Sequence, residues 1–173
     1  MKRAALLLAT LLASPAVAQT VAITGGTVAI GDGSAPIQNG TVVFRDGRVV
    51  AAGQGVAVPA GATVIDATGK WVAAGMVAGF TDMGLVDAAG VNESNDASAS
   101  RSDFAAGLDV ATAINPNALA IQNERLGGVT RAIVSPRAGG GSIFAGQGAI
   151  IDLGADPDPI TRARAFQYVE LGE

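Results

Sequence analysis

Between residues 21 and 73 no apolar run lasts more than a few positions before glycine, proline or an Asp-Gly pair cuts it. Punctuation of that kind leaves no room for a helix of ordinary length and dictates short strands joined by tight turns. The clearest piece is a hairpin. Residues 41–44 and 48–52 are apolar, β-branched runs, and Arg45-Asp46-Gly47 joins them with the pair that accepts positive φ angles. Residues 21–30 read as a strand pair, or as one strand bulged at Gly25-Gly26, because adjacent glycines weaken a regular ladder. Gly31-Asp32-Gly33 with Pro36 marks a loop, Pro59-Ala60-Gly61 turns the chain, and residues 63–66 form another strand. Ala67-Thr68-Gly69 turns it again before residues 70–73.

The chain of 173 residues is 49% hydrophobic and 15% charged, a balance that supports a packed core. It has no cysteine, which excludes a disulfide framework and a thiolate nucleophile or metal ligand. It also has no histidine, the commonest zinc ligand and the commonest general base near neutral pH. A serine–histidine nucleophile at Ser135 or Ser142 is therefore excluded within the chain.

Residues 1–18 read as a secretory signal. Lys2 and Arg3 open it, residues 4–12 are apolar, and Ala16-Val17-Ala18 is a small-x-small cleavage site before Gln19. The apolar stretch is too short for a permanent membrane span. Cleavage between Ala18 and Gln19 implies a periplasmic or secreted protein, and it leaves nine basic against 15 acidic side chains. An acidic domain without basic clusters is not expected to bind nucleic acid.

The second half changes character. Residues 76–81 are nearly all apolar without alternation, as in a strand buried on both faces. Residues 87–102 are small and polar and read as a long loop. Ser102-Asp103 is placed to cap a short helix through Ala113, and Asn115-Pro116 starts a second that runs to Leu126, is expected to bury Leu119 and Leu126, and ends at Gly127-Gly128. Residues 129–135 follow as a strand, 137–148 as a glycine-rich loop, 149–153 as a short strand and 156–159 as a loop. Residues 160–171 are read as the beginning of a helix.

Taken together, Asn39-Gly40-Thr41, Asp46-Gly47-Arg48-Val49, Val58-Pro59-Ala60-Gly61 and Val64-Ile65-Asp66-Ala67-Thr68-Gly69-Lys70 resemble, in order and spacing, the N-terminus of the amidohydrolase superfamily. Asn115-Pro116, Arg125-x-x-Gly128-Val129-Thr130, Gly146-Gln147-Gly148-Ala149 and Ile151-Asp152 look like its exported, imidazolonepropionase-like group. The resemblance implies a composite β-sandwich of the metal-dependent-hydrolase type in residues 19–74. It implies the first part of a truncated (β/α)8 TIM-like barrel in residues 75–173, since a whole barrel takes about 250 residues. It further implies hydrolysis of carbon–nitrogen bonds in small, non-peptide or dipeptide-like molecules, with a zinc-type divalent metal, and an N-terminal piece that lacks most of that active site. The alternative is a non-catalytic periplasmic scaffold or binding relative.

Lys70-Trp71-Val72-Ala73-Ala74-Gly75-Met76-Val77-Ala78-Gly79-Phe80-Thr81-Asp82 resembles the family's passage from sandwich to barrel, where two histidines spaced by one residue bind the metal. Here those positions hold Phe80 and Asp82. A phenyl ring offers a cation of this kind no ligand atom. A lone carboxylate is a weak zinc site, so Asp82 is either an auxiliary ligand or base or simply a loop-start acid that caps local amides. Asn92, Glu93, Asn95 and Asp96 carry oxygen ligands but lack the spacing of a calcium loop. Gly139-Gly140-Gly141-Ser142 lacks the ending of a phosphate loop. Arg125 and Arg131 flank a turn and are candidates to hold a carboxylate substrate.

Overall fold

The structure is a computed structural model and describes residues 19–88, 90–99, 102, 104–139 and 142–171. The expected signal segment, Asp103 of the expected helix cap, and Gly140-Gly141 lie outside these residues. The chain divides into two compact units, Met1–Ala74 and Gly75–Glu173.

The first unit is one mixed sheet of five strands: β1 (Thr20–Ala29), β2 (Ile37–Arg45), β3 (Arg48–Gln54), β4 (Thr63–Asp66) and β5 (Trp71–Ala73). Its order is β3-β2-β1-β4, with β5 also on β1. The β2–β3 hairpin closes through Asp46 at φ 51° and Gly47 at φ 71°, the pair of left-handed values that matches strand twist.

β1 is a single strand, bulged between Ile23 and Val28. Its first half pairs in parallel with β4 and its second half with β5, so the chain must step along β1 at the bulge. Hydrogen bonds from Ala67 N to Thr24 O at 2.8 Å and from Thr27 N to Lys70 O at 2.9 Å carry the ladder across the step. A Cβ on Gly25 would lie 2.8 Å from Thr68 Oγ1, and one on Gly26 would lie 2.8 Å from Val72 Cγ2. The glycine pair is what lets this turn pack against the strand. Where a sandwich was expected, the described residues of this unit form a single sheet, because every strand joins through β1 or β2.

The second unit contains β6 (Met76–Thr81), α1 (Leu119–Leu126), β7 (Val129–Val134), β8 (Phe144–Asp152) and β9 (Ile160–Val169), with sheet order β6-β7-β8-β9. β6 and β7 are parallel and joined through α1, the expected strand-helix-strand. The next two pairings are antiparallel. No (β/α)8 barrel is present among the described residues: the connections after β7 are too short for a crossover, and a parallel return needs a dozen residues or more.

Four other expectations are corrected. Residues 160–171 do not form a helix. Ile160–Val169 is β9, because β8 offers a ladder that a helix would leave unused. In place of the helix expected over 102–113, residues 104–113 hold two short 3-10 turns, Ala105–Gly107 and Val110–Thr112, the second capped by Asp109 accepting from Ala111 N at 3.0 Å. β6 is not buried on both faces: Met76, Val77 and Phe80 are exposed, since β7 is its one neighbour among the described residues. Phe144 to Gly148, expected in a loop, belongs to β8.

The core of this unit gathers Met83, Leu85, Val110, Ala118 and Ile121 against Ala132 and Val134 of β7 and Ala149 and Ile151 of β8. Helix α1 starts three residues later than Asn115-Pro116 suggests, because Asn115 Oδ1 turns the chain by accepting from Asn117 N at 2.9 Å. The later start rotates the buried face. Ile121 is 1% exposed, whereas Leu119 and Leu126 are 65% and 86% exposed. Gly128 at φ 91° lets the chain leave the helix for β7.

Two stability measurements follow. Ile121→Ala should cost about 2–5 kcal/mol in urea unfolding of the chain, while Leu126→Ala should change it by less than about 0.5 kcal/mol. In the first unit Asp66 accepts from Thr68 Oγ1 at 2.6 Å and Thr68 N at 2.9 Å. These bonds, with a smaller contribution from Lys70, hold its carboxyl below the ordinary value. A depressed acid contributes stability above its unfolded value, near pH 4, and loses it as pH falls through the lower folded value. Asp66→Asn should therefore flatten the acid limb of a stability profile taken between about pH 2 and 5.

Candidate functional site

Asp82 directly follows β6, and Ser135, Pro136 and Arg137 directly follow β7. Because the two strands are parallel and Thr81 pairs with Val134, these residues emerge side by side at the carboxyl ends of the strands. Ser135 N donates to Thr81 O at 2.9 Å and keeps the two ends level. In α/β folds this is the end at which ligand groups gather, since the loops there are free to vary without disturbing the sheet.

Together they line a cavity of about 310 Å³ with Phe80, Thr81, Tyr168 and Glu170. Its electrostatic centre is an ion pair in which Arg137 Nη2 donates to Asp82 Oδ2. Asp82 is the more sheltered partner, with 32% of its side chain exposed against 62% for Arg137. Arg137 is fixed at its backbone too, where its N donates to Ala97 O. Glu170 Oε2 accepts from Ala138 N at 3.0 Å, which fastens the residues after β9 to those after β7.

Phe80 forms the aromatic wall. Its ring lies 5.9 Å from Phe166, nearly edge-on at 84°, and 5.9 Å from Tyr168 at 35°. Its backbone sits at φ 48°, a left-handed value rare for an aromatic residue and costing of order 1–3 kcal/mol. Paired aromatic rings contribute about 0.5–1.5 kcal/mol beyond their buried area, which offsets part of that cost. Phe166 can approach because its cross-strand partner is Gly148, where a Cβ would lie 2.1 Å from the ring.

A zinc-type ion does not fit these residues. Phe80 has no ligand atom and its ring, though exposed, lies against Phe166 and Tyr168, and the Asp82 carboxylate is already paired with a guanidinium. Among the described residues no three histidines, cysteines or acids cluster as a metal site would require.

The other candidates fall outside this cavity. Asn95 spends its side-chain oxygen on Ala97 N at 3.1 Å, and no group of three acids that includes Glu93 or Asp96 comes together among the described residues. Ser142 accepts from Phe144 N in a local turn. Arg125 donates to Leu153 O and Gly154 O, tying α1 to the end of β8, and Arg131 points outward from β7, so neither joins Asp82. A second cavity, of about 220 Å³, lies beside Ala97, Leu108 and Ala145, and its one sheltered acid, Asp109, is paired with Arg164 at 2.9 Å. Sequence reasoning singled out Asp82 and missed Arg137, Tyr168 and Glu170. The position of Arg137 just past a parallel strand was a usable signal, whereas Tyr168 and Glu170 were hidden by the helix expected there.

In fold, the chain is similar to an amidohydrolase from Thermotoga maritima MSB8, with a TM-score of 0.78 and 23% identity. That match covers 88% of this chain and 39% of the amidohydrolase, so the chain spans well under half of its length. A molinate hydrolase matches at 38% identity over 40% of this chain and 15% of its own, with a TM-score of 0.36. No protein-family model matches the sequence, and no curated protein matches it either. The class supported is therefore coarse: among the described residues, two sheets and one α-helix, with a fold like part of an amidohydrolase.

If Asp82 contributes nothing to metal binding, equilibrium dialysis against zinc should load Asp82→Ala and the unaltered chain equally, to within about a tenth of an equivalent.

Proposed function

We propose that this chain works within an exported, amidohydrolase-like hydrolase that acts on carbon–nitrogen bonds of small molecules, and that its cavity holds substrate rather than metal. The observation that carries the reading is the placement of Asp82, Ser135 and Arg137 around one cavity at the carboxyl ends of two parallel strands. The likeness in fold supports the class, and fold alone does not assign a reaction. Any catalytic divalent ion is held by groups other than Phe80 and Asp82. The partner is a small molecule and not nucleic acid, in keeping with 15 acidic against 11 basic side chains. Export follows from the signal at residues 1–18, with cleavage between Ala18 and Gln19.

A second reading, a non-catalytic binding relative, is favoured by one feature: Phe80 and Asp82, the residues at which the sequence resemblance implies metal ligands, are engaged by aromatic rings and a guanidinium. The two separate in one assay. Protein recovered from the exported fraction is incubated with N-acyl amino acids, cyclic imides and dipeptides, and product amine is measured. Turnover that falls at least about tenfold in Arg137→Gln supports the hydrolase. Saturable binding without turnover supports the binding relative, and neither binding nor turnover overturns both.

A further inference from the structure

We propose that the cavity between the ends of β6 and β7 is a receptor for a small zwitterion of amino-acid type, bound without a metal ion. Arg137 takes its carboxylate, and Glu170 with the rings of Phe80 and Tyr168 takes its ammonium group and apolar body. The proposal rests on the small-molecule reading above and names the ligand class for that site.

The guanidinium supplies five N–H donors in a planar fork. Among the described residues its side chain makes one hydrogen bond, from Nη2 to Asp82, and 62% of the side chain remains exposed. The other donors are thus free for a second acceptor, and a carboxylate matches their geometry with two parallel bonds. Asp82 holds the long side chain in place before a ligand arrives, which lowers the ordering cost of binding. A metal is not needed to receive the anion, because the fixed cation is already there.

The charge balance selects the rest of the ligand. Asp82, Glu170 and Arg137 together give the cavity a net charge of -1. A ligand with only a carboxylate would meet that excess, and a ligand with only an ammonium would leave the arginine fork unused. A zwitterion satisfies both. Glu170 has one oxygen bonded to Ala138 N and lines the same cavity, so its carboxylate is held at a defined place facing the ligand. Phe80 and Tyr168 line the same cavity, and aromatic rings attract an ammonium group and pack an apolar side chain. A volume of about 310 Å³ lies at the small end of ligand cavities, the size class of one amino acid rather than a peptide.

The test uses the whole chain and three probes that differ by one charge each: L-phenylalanine, 3-phenylpropionate, which lacks the ammonium, and phenethylamine, which lacks the carboxylate. Isothermal titration should show L-phenylalanine binding at least about tenfold more tightly than either analogue, unchanged by EDTA. In Arg137→Gln its advantage over phenethylamine should vanish, and in Glu170→Gln its advantage over 3-phenylpropionate should vanish. Circular dichroism confirms that each variant is folded, and the three-probe comparison on the unaltered chain stands even if a variant is not. Equal affinity for the three probes, or binding abolished by EDTA, overturns the proposal. Turnover of neutral amides without binding of L-phenylalanine also overturns it while leaving the hydrolase reading intact. Binding of L-phenylalanine without amide turnover supports it and counts against the hydrolase instead.

Discussion

The parallel ladder between β6 and β7 is the constraint on which the second unit depends. A parallel pair cannot be closed by a hairpin, so the chain must travel from the end of one strand back to the start of the next. That return is the stretch from Asp82 to Gly128, and it supplies Met83, Leu85, Val110, Ala118 and Ile121, which together with β7 and β8 make the core. Side chains tie described parts of the long polar loop within it to one another and to Asn115. Ser94 Oγ bonds to Ala88 and Val91, and Asn115 Nδ2 donates to both oxygens of Asp87, at 2.9 Å and 3.1 Å. Parallel pairing also brings the two carboxyl ends level. An acid after one strand and an arginine after the other then meet without any further device.

That meeting decides the chemistry available at the cavity. A carboxylate paired with a guanidinium is a different object from a carboxylate awaiting a cation, since the cation's place is taken by a group the chain cannot lose. The aromatic wall works in the same direction. Phe80 adopts a backbone angle that an aromatic residue reaches only when its surroundings hold it there, and the surroundings are Phe166 and Tyr168. Phe80 and Asp82 are thus both engaged by other side chains, one through ring contacts and one through charge.

What the sequence made legible was what local chemistry decides. Asp46-Gly47 fixes a hairpin whatever surrounds it, Gly25-Gly26 marks the bulge where β1 changes partners, and Gly127-Gly128 ends a helix. The errors lie where a partner distant in sequence decides. Leu119 and Leu126 are seven apart and suit a helix face, yet the Asn115 turn delays the helix and the buried side becomes that of Ala118 and Ile121. In β9 the alternation of Ile160, Arg162, Arg164, Phe166 and Tyr168 is a strand signal, blurred because Arg164 at φ 49° breaks the period and because apolar and polar residues share one side. Asp82 was visible from its place after an apolar strand. Its partner was not, because ion pairing across parallel strands follows from register, which no local pattern carries.

The glycine at position 148 connects these levels. It lacks a side chain where Phe166 crosses from β9, so the ring settles over the strand and not away from it. Phe166 in that position meets the edge of Phe80, and Phe80 with Tyr168 forms the wall beside Asp82 and Arg137. The Gly146-Gln147-Gly148 segment, read in sequence as the end of a glycine-rich loop, is in the folded chain part of a strand whose small residues set where the rings lie. The shape of the cavity therefore depends on residues in β8 that do not line it, while its ion pair depends on two loop positions that the parallel ladder brings together.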